Sequence, residues 1–348
     1  MTTDESTVDT NGVHTIERQS LRTRLLTANT FWIGLVLLGL VIVFSVLAPD
    51  AFPTVFTAQT LLIETAVLLV LAVGMTFVII TGGIDLSVGS VLIFAGMVSA
   101  KTMEAMSPNG NALNAGWDVI LVGLVVAIAG GTAWGFLNGF LIAVAKIPPL
   151  IVTLGTLGAA LGAASLINNG SDIRTVPTEL RNTLGYGTSF GGIPNLVLVA
   201  VVITAVAAWL LHTTRFGRHT YAVGSNAEAA RRSGIGVTRH LTLVYLLTGL
   251  LAGVAGFMSL AYYGSTTISA HATDNLNAIA AVVMGGTSLF GGIGSVLGTV
   301  IGVFIPAVLK KGFNIVGVQD FWQMIAVGAV LIAAVWFDQQ RRRARNRL

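Results

Sequence analysis

Asp85 is the residue of this chain whose type and position point most directly to chemistry. It follows Gly82 and Gly83 in Val-Ile-Ile-Thr-Gly-Gly-Ile-Asp-Leu-Ser-Val-Gly-Ser, residues 78–90, between two apolar stretches. A carboxylate at the end of a hydrophobic segment is costly, so it usually faces protein, water or a pathway. It could carry a proton or an ion, bind a polar solute, or cap the helix that follows. We favour the cap.

A second glycine pair, Gly285-Gly286, lies in Val-Met-Gly-Gly-Thr-Ser-Leu-Phe-Gly-Gly-Ile-Gly-Ser-Val-Leu-Gly, residues 283–298. Both segments have a Gly-Gly break that is followed by (Val/Ile)-Gly-Ser-Val-Leu and a new apolar run. Paired glycines let the backbone leave helical geometry. Interrupted segments in two halves of a membrane protein often flank a transport pathway. Both glycine pairs, with Ser87 and Ser288, are therefore candidate gate residues.

Four polar side chains in apolar segments are further pathway candidates: Asn138, Thr153, Asn275 and Asn277. Each could bind the hydroxyl groups of a solute, or hold neighbouring helices together. For any single one of them we favour helix packing. The chain has no cysteine, which excludes disulfides, thiol catalysis and thiolate metal sites. No histidine pair or carboxylate cluster has metal-ligand spacing, and no nucleophile–base arrangement stands out.

The composition is that of an integral membrane protein, with 54% hydrophobic and only 10% charged residues and a mean hydropathy of +0.83. Soluble domains average about 25% charged residues. We expect an all-α polytopic fold with about ten membrane-spanning helices, since a span needs roughly 20 apolar residues. Apolar runs place these spans near 31–48, 61–81, 87–104, 119–144, 150–168, 193–211, 241–261, 275–287, 290–309 and 321–337. The eighth is short and could be re-entrant.

The basic residues predict the orientation, because Lys and Arg concentrate on the cytoplasmic side. Ten spans with a cytoplasmic N-terminus place most of them inside, including those of a basic loop at 212–240. The predicted organisation is a cytoplasmic tail (1–30), a membrane domain (31–337) and a basic cytoplasmic C-terminal tail (338–348). The run Arg-Arg-Arg-Ala-Arg-Asn-Arg in that tail is interpreted as an anchor for anionic membrane lipid. We do not expect it to bind nucleic acid.

The loop at 212–240 contains a short predicted helix from Ala227 to Arg232. Ser225 or Asn226 can cap its start and Gly234 can end it. Glu228 in the first turn and the arginines in the last turn agree with the helix dipole. The small apolar face of this helix is formed by Ala229, Ala230 and Ile235. Such a helix should dock into the groove of a partner protein, whereas a loop that only binds lipid headgroups would not need its caps.

The chain carries no phosphate-binding loop of the form Gly-x-x-x-x-Gly-Lys-Ser/Thr. None of its lysines lies in a glycine-rich loop before Ser or Thr, so no such ATP site is expected in it. If transport is driven by ATP, another subunit binds the nucleotide.

Four stretches together resemble the permease subunit of bacterial monosaccharide ABC importers, the ribose/xylose/arabinose/galactose class. They are residues 74–90 around Thr-Gly-Gly-Ile-Asp-Leu-Ser, 146–155 (Lys-Ile-Pro-Pro-Leu-Ile-Val-Thr-Leu-Gly), 214–218 with 224–235, and 277–289 (Asn-Ala-Ile-Ala-Ala-Val-Val-Met-Gly-Gly-Thr-Ser-Leu). They occur in the order of that family and extend over most of residues 60–300. The combination is specific for the family but not for the sugar.

The resemblance implies an ABC importer permease fold in the bacterial inner membrane. It implies a second permease copy, as a homodimer or heterodimer, a sugar-binding protein outside the membrane, and a cytoplasmic ATPase that holds ATP and Mg. The coupling segment of the family corresponds to Gly224–Ile235, which includes Asn226, Glu228 and Gly234. Two alternatives stay open: an ion-coupled secondary transporter that uses Asp85 or Glu64, and an ABC permease for a sugar alcohol, nucleoside or furanose signal. A membrane enzyme is not expected, because this sequence has no recognisable catalytic constellation.

Overall fold

The computed structural model describes residues 29–266, 268, 271, 273–319, 322, 325, 328, 329 and 332. The predicted N-terminal tail, the tenth span and the C-terminal tail lie wholly or mostly outside these residues. The helices in the described part are α1 (Asn29–Leu47), α2 (Val55–Ile80), α3 (Val88–Ala105), α4 (Trp117–Ala143), α5 (Pro149–Ile167), α6 (Asn195–Thr213), α7 (Arg215–Ser225), α8 (Ala227–Arg232), α9 (Val237–Tyr263), α10 (Asp274–Met284) and α11 (Val296–Val316).

Strand structure in the described residues is limited to a hairpin of β1 (Thr188–Ser189) and β2 (Ile193–Pro194). A helical turn at Thr178–Leu180 and a π-helical turn at Arg181–Gly185 precede it. The expected all-α polytopic fold is therefore confirmed.

Seven helices in the described part of the chain are long and apolar enough to cross a membrane: α2, α3, α4, α5, α6, α9 and α11. Nine of the ten predicted spans coincide with a helix, but the count of ten spanning helices is not confirmed. The eighth corresponds to α10, whose 11 residues are about 16 Å long at 1.5 Å per residue. That is about half of a bilayer core of about 30 Å. The ninth begins later than predicted because Gly291 and Gly292 have positive φ angles.

The centre of the bundle is α2, whose apolar window is 83% buried. It is apolar on all sides, as expected for a helix surrounded by other helices. The peripheral helices α4, α5 and α6 have windows that are only 28–33% buried. Their apolar outer faces are suited to lipid or to other membrane helices.

Helices α4 and α9 pack with their backbones in close contact along a row of glycines. A Cβ atom on Gly131 would collide with the carbonyl oxygen of Gly249, and a Cβ on Gly253 with that of Ala127. Small residues at helix interfaces in membranes allow this approach. Helix α4 is continuous from Trp117 to Ala143, and its Gly131 serves packing against α9.

The bundle has two ends. One end, which we call the loop face, carries α7 and α8 of the loop at 212–240. The ends of α2 and α10 also lie there, since the N–H of Gly292 donates to the carbonyl oxygen of Ile80 at 2.8 Å. The opposite face carries the start of α2, residues 169–194 and the end of α9. There Gln59 donates to the Gly192 carbonyl and Tyr186 to the Tyr262 carbonyl, both at 3.0 Å.

Candidate functional site

The first break ends α2 with a left-handed glycine. Gly82 has φ +80°. Its N–H donates to the carbonyl of Ile79 at 2.9 Å, and the N–H of Gly83 donates to Val78 at 3.0 Å. This pair of bonds is a Schellman motif, which satisfies carbonyl groups at the end of a helix. The glycine at position 82 is required because the left-handed conformation is costly for other residues.

The second break repeats the motif at the end of α10. Gly286 has φ +87°, its N–H donates to Val283 at 2.9 Å, and the N–H of Thr287 donates to Val282 at 3.2 Å. The sequence suggested that the two glycine pairs match residue for residue, but the match is offset by one residue. Gly286 corresponds to Gly82, whereas Gly285 is still in the right-handed conformation. Position 285 requires a glycine for a different reason, because a Cβ there would collide with the carbonyl oxygen of Gly298.

Asp85 lies in the first break, and its side chain binds the start of α3. The Oδ1 atom accepts hydrogen bonds from the backbone N–H of Ser87 at 2.9 Å and from its hydroxyl at 2.6 Å. Asp85 is only 2% exposed. The predicted cap is therefore wrong in detail: Ser87 is the N-cap of α3, which begins at Val88. Asp85 instead binds the residue two positions further on, as in an Asx turn that leads into the helix.

Three polar side chains from three helices bind the backbone or side chains of residues 84–87. They are Asn138 of α4, which donates to the Ser87 hydroxyl at 2.8 Å, Thr153 of α5, which donates to the Ile84 carbonyl at 3.3 Å, and Asn275 of α10, which donates to the Leu86 carbonyl at 2.9 Å. The structure thus brings Asp85, Ser87, Asn138, Thr153 and Asn275 together. Their contacts are those of helix packing, which holds the non-helical segment in place.

The remaining predicted pathway residues lie on the second break and on α10. Asn277 is half-buried, and Ser288 is 6% exposed. The Ser288 N–H donates to the Ile293 carbonyl at 3.0 Å, which closes the turn after α10. Neither Ser87 nor Ser288 is exposed to solvent in this conformation.

Gly83 meets a buried phenol that the sequence did not indicate. A Cβ on Gly83 would collide with the hydroxyl of Tyr245 on α9. Among the described residues, this hydroxyl and the Oδ1 atoms of Asn138 and Asn275 are buried without a hydrogen-bond partner. The first break is therefore tightly packed and leaves three polar atoms unsatisfied beside it.

The short helix α8 in the loop has the predicted bounds and caps. Oδ1 of Asn226 accepts the N–H of Ala229 at 2.9 Å. Gly234 has φ +84°, and its N–H donates to Arg231 at 3.0 Å. Glu228 forms ion pairs with Arg231 at 3.2 Å and Arg232 at 3.3 Å.

The predicted apolar docking face of α8 is wrong in part. Ala230 is 4% exposed and packs in a small cluster with Val223 and Val237, against which Ile235 also packs. The exposed side of the helix carries Ala229 together with the charged residues. The apolar residues anchor α8 to its own chain, so a partner would meet a small and charged surface.

Helix α7 connects the loop to both breaks, and the sequence did not reveal this contact. The hydroxyl of Tyr221 donates to the carbonyl of Gly294 at 2.7 Å. A Cβ on Gly224 would collide with the carbonyl oxygen of Ile80 and crowd the N–H of Gly292. The end of α7, the end of α2 and the second break therefore meet at one junction. The polar and apolar periodicity of residues 215–225 was a signal for this helix, and so was Thr214, whose side chain caps its start.

A row of hydrogen bonds at the start of α10 was also missed. The Oγ atom of Ser259 lies 2.7 Å from Nε2 of His271, and Nδ1 of His271 lies 2.7 Å from Oδ2 of Asp274. Ser259 and His271 are 5% and 6% exposed. Although the order is that of a nucleophile, a base and an orienting acid, the serine has no room for a substrate. The bonds fix the end of α9 to the start of α10.

Comparisons with known proteins agree with this architecture. Residues 57–335 match the family described as branched-chain amino acid transport system / permease component. No solved structure matches the chain.

Several curated relatives are sugar permeases by name. The ribose import permease protein RbsC of Escherichia coli strain K12 is 39% identical over 311 residues, which cover 88% of this chain and 92% of the relative. The D-allose transport system permease protein AlsC of the same strain is 33% identical over 300 residues (86% and 88%). The fructose import permease protein FrcC of Rhizobium meliloti is 32% identical over 317 residues (89% and 85%). The chain therefore belongs to this permease-component family, and its resemblance to the permeases of monosaccharide ABC importers is confirmed.

Proposed function

We propose that this chain is the membrane permease of an ATP-driven importer that translocates a monosaccharide, such as ribose or a related sugar. An external binding protein delivers the sugar, and a separate cytoplasmic ATPase, which holds ATP and Mg, supplies the energy. The chain itself carries no ATP site and is not an enzyme. Support comes from the sugars that the relatives are named for and from the motif-level resemblance.

The single observation that carries this proposal is the junction of α7 with both breaks. An ATPase that binds outside the membrane has to move groups inside it. Gly224 of α7 packs against the end of α2, and Tyr221 is bonded to the second break. Movement of the loop would therefore act directly on the two segments that leave helical geometry. A secondary transporter has no separate ATPase, so it would not need a contact that transmits movement of this loop.

The proposed orientation places the loop face in the cytoplasm, with both termini on that side. The basic residues of α7, α8 and the start of α9 support it. Lys310 and Lys311 would lie towards the outside, against the rule. Lys311 is compensated there by Glu64, since its Nζ atom lies 3.3 Å from Oε1 of the carboxylate.

We further propose that two permease copies assemble and that the two breaks line the inner gate of each. Gly82, Gly83, Gly285, Gly286 and Ser288 would form the moving part. The exposed apolar faces of α4, α5 and α6 leave room for a second copy and for lipid.

The test is uptake into vesicles that contain the permease, the ATPase and the binding protein. Labelled ribose, allose and fructose are supplied outside the vesicles, and ATP is supplied on the ATPase side. Accumulation of at least one sugar with ATP, and none with a non-hydrolysable analogue, is expected. Uptake by the permease alone under a proton or Na⁺ gradient would instead favour the ion-coupled alternative, with Asp85 or Glu64 as the carrier. A sugar alcohol, nucleoside or furanose signal that competes better than any sugar would redirect the substrate assignment.

A further inference from the structure

A group of tyrosines gathers at the opposite face of the bundle, away from both breaks. The ring centroids of Tyr262 and Tyr263, at the end of α9, are 4.9 Å apart, and those of Tyr186 and Tyr262 are 6.2 Å apart. The hydroxyl of Tyr186 donates to the Tyr262 carbonyl at 3.0 Å. Tyr186 is 54% and Tyr263 is 50% exposed. These aromatic surfaces are open and are held in fixed orientations.

Charged groups of both signs border the tyrosines. The Cζ atom of Arg181 lies 5.8 Å from the centroid of the Tyr186 ring, and its Nε atom is buried without a hydrogen-bond partner among the described residues. Glu64 lies in the half of α2 that begins at this face; its carboxylate is 46% exposed, and its Oε1 atom is paired with Lys311 at 3.3 Å. A buried guanidinium N–H with no acceptor is an unusual arrangement, because such groups are normally satisfied.

The same group is connected to the second broken hairpin. The rings of Tyr263 and His271 are 5.9 Å apart, and His271 is bonded to Asp274 at the start of α10. Because α10 is too short to cross the membrane, it begins inside the bundle. The tyrosines therefore lie on the route from the opposite face to the start of α10.

From these contacts we propose that Glu64, Arg181, Tyr186, Tyr262 and Tyr263 form an outer subsite that binds a monosaccharide as it leaves the binding protein. The C–H face of a sugar ring is apolar and can lie on an exposed tyrosine ring. Its hydroxyl groups can donate to the Glu64 carboxylate and accept from Arg181. Aromatic surfaces with a few placed polar groups are typical of small-molecule sites. The inference rests on the proposed sugar import, and names the place where the sugar first meets the permease.

The experiment measures sugar binding by the full chain in lipid nanodiscs, without the partner proteins. Saturation-transfer NMR is recorded with ribose, allose and fructose, each at millimolar concentration. We expect transfer to the C–H protons of at least one sugar. Tyr263→Ala should raise its Kd about 2- to 10-fold, as for loss of one aromatic contact, while Tyr263→Phe should retain most of the binding. Glu64→Gln should weaken binding without removing the aromatic surface.

Phe190→Ala is the matched control, since Phe190 is an aromatic residue of the 169–194 segment that is 86% exposed and has no place in the subsite. It should bind sugar as the unchanged chain does. The inference is overturned if no sugar gives a signal, or if Tyr263→Ala and Phe190→Ala behave alike. It is also overturned if Tyr263→Ala leaves sugar binding intact and weakens only the stimulation of ATPase activity by the binding protein, because the surface would then dock that protein. Failure of the ATP-driven uptake experiment would instead refute the proposed function itself, whatever the NMR result.

Discussion

The hydroxyl of Tyr221 donates a hydrogen bond of 2.7 Å to the carbonyl of Gly294, and this bond joins the loop helix α7 to the second break. Burial raises the pKa of the Tyr221 phenol above its ordinary value. The group therefore stays protonated, and remains a donor, throughout the neutral range and well into the alkaline range. The connection between loop and gate should accordingly be insensitive to pH between about 6 and 9.

Tyr221→Phe removes this connection and keeps the ring. We expect it to lower the number of sugar molecules imported per ATP hydrolysed by about 2- to 10-fold, as for one net hydrogen bond. The measurement is the ratio of uptake to ATPase activity in vesicles. Thr213→Val is the control, because in the described part of the chain the Thr213 hydroxyl bonds within its own helix, to the Trp209 carbonyl at 2.6 Å. An unchanged ratio in Tyr221→Phe would show that the bond carries no coupling.

Gly234→Val tests the role of the end of α8. Gly234 has φ +84° and no atom within 4 Å of a Cβ, so the substitution introduces backbone strain of about 1–2 kcal/mol without a collision. We expect assembled transporter with reduced coupling of ATP hydrolysis to transport. Gly170→Val is a matched control on the opposite face, because Gly170 has φ +71° and is equally unobstructed. Equal effects of both variants on coupling would mean that strain alone is responsible.

Two substitutions of Asp85 separate the effect of its hydrogen bond to Ser87 from the effect of its negative charge. Asp85→Asn keeps an oxygen that can accept the Ser87 N–H, whereas Asp85→Leu cannot. We expect Asp85→Asn to retain most of the transport, and Asp85→Leu to lose about 0.5–2 kcal/mol of stability together with transport. Thermal unfolding and sugar uptake are the readouts. If the asparagine variant assembles normally but is as inactive as the leucine variant, the negative charge itself is needed and the ion-coupled alternative gains support.

Gly83 and Tyr245 form a pair that can be tested by rescue. Gly83→Ala places a methyl group against the Tyr245 hydroxyl and should destabilise the protein by about 1–3 kcal/mol. Tyr245→Phe removes an oxygen that has no hydrogen-bond partner among the described residues, so alone it should be neutral or stabilising. The double variant should recover most of the lost Tm. Additive effects of the two changes would contradict this packing.

Features encoded by local sequence were predicted well. The caps of α8 at Asn226 and Gly234 depend on neighbouring residues only, and both are found where expected. The two breaks also lie at the predicted glycine pairs, although the second is offset by one residue relative to the first. Features that depend on tertiary contacts were missed, because nothing in the sequence near Tyr221 indicates that its hydroxyl meets Gly294. The burial of Ala230 was missed for the same reason, since a short apolar face does not indicate whether its partner lies in the same chain.

The polar residues in the apolar helices show how far the site could be predicted from the sequence. Asn138, Thr153 and Asn275 were selected because polar side chains in apolar spans are costly. The sequence left open whether they bind solute or helices. Their contacts with residues 84–87 are packing contacts, and only the fold could place three helices around that segment.

If ATP hydrolysis by a separate subunit drives sugar through this chain, vesicles that contain the complete transporter should accumulate the sugar. The permease, the ATPase and the binding protein are reconstituted together, with labelled ribose, allose or fructose outside and ATP on the loop-face side. We expect uptake of a sugar against its gradient, dependent on hydrolysable ATP and absent when the permease is omitted. Accumulation by the permease alone under a proton or Na⁺ gradient, with no effect of ATP, would contradict it.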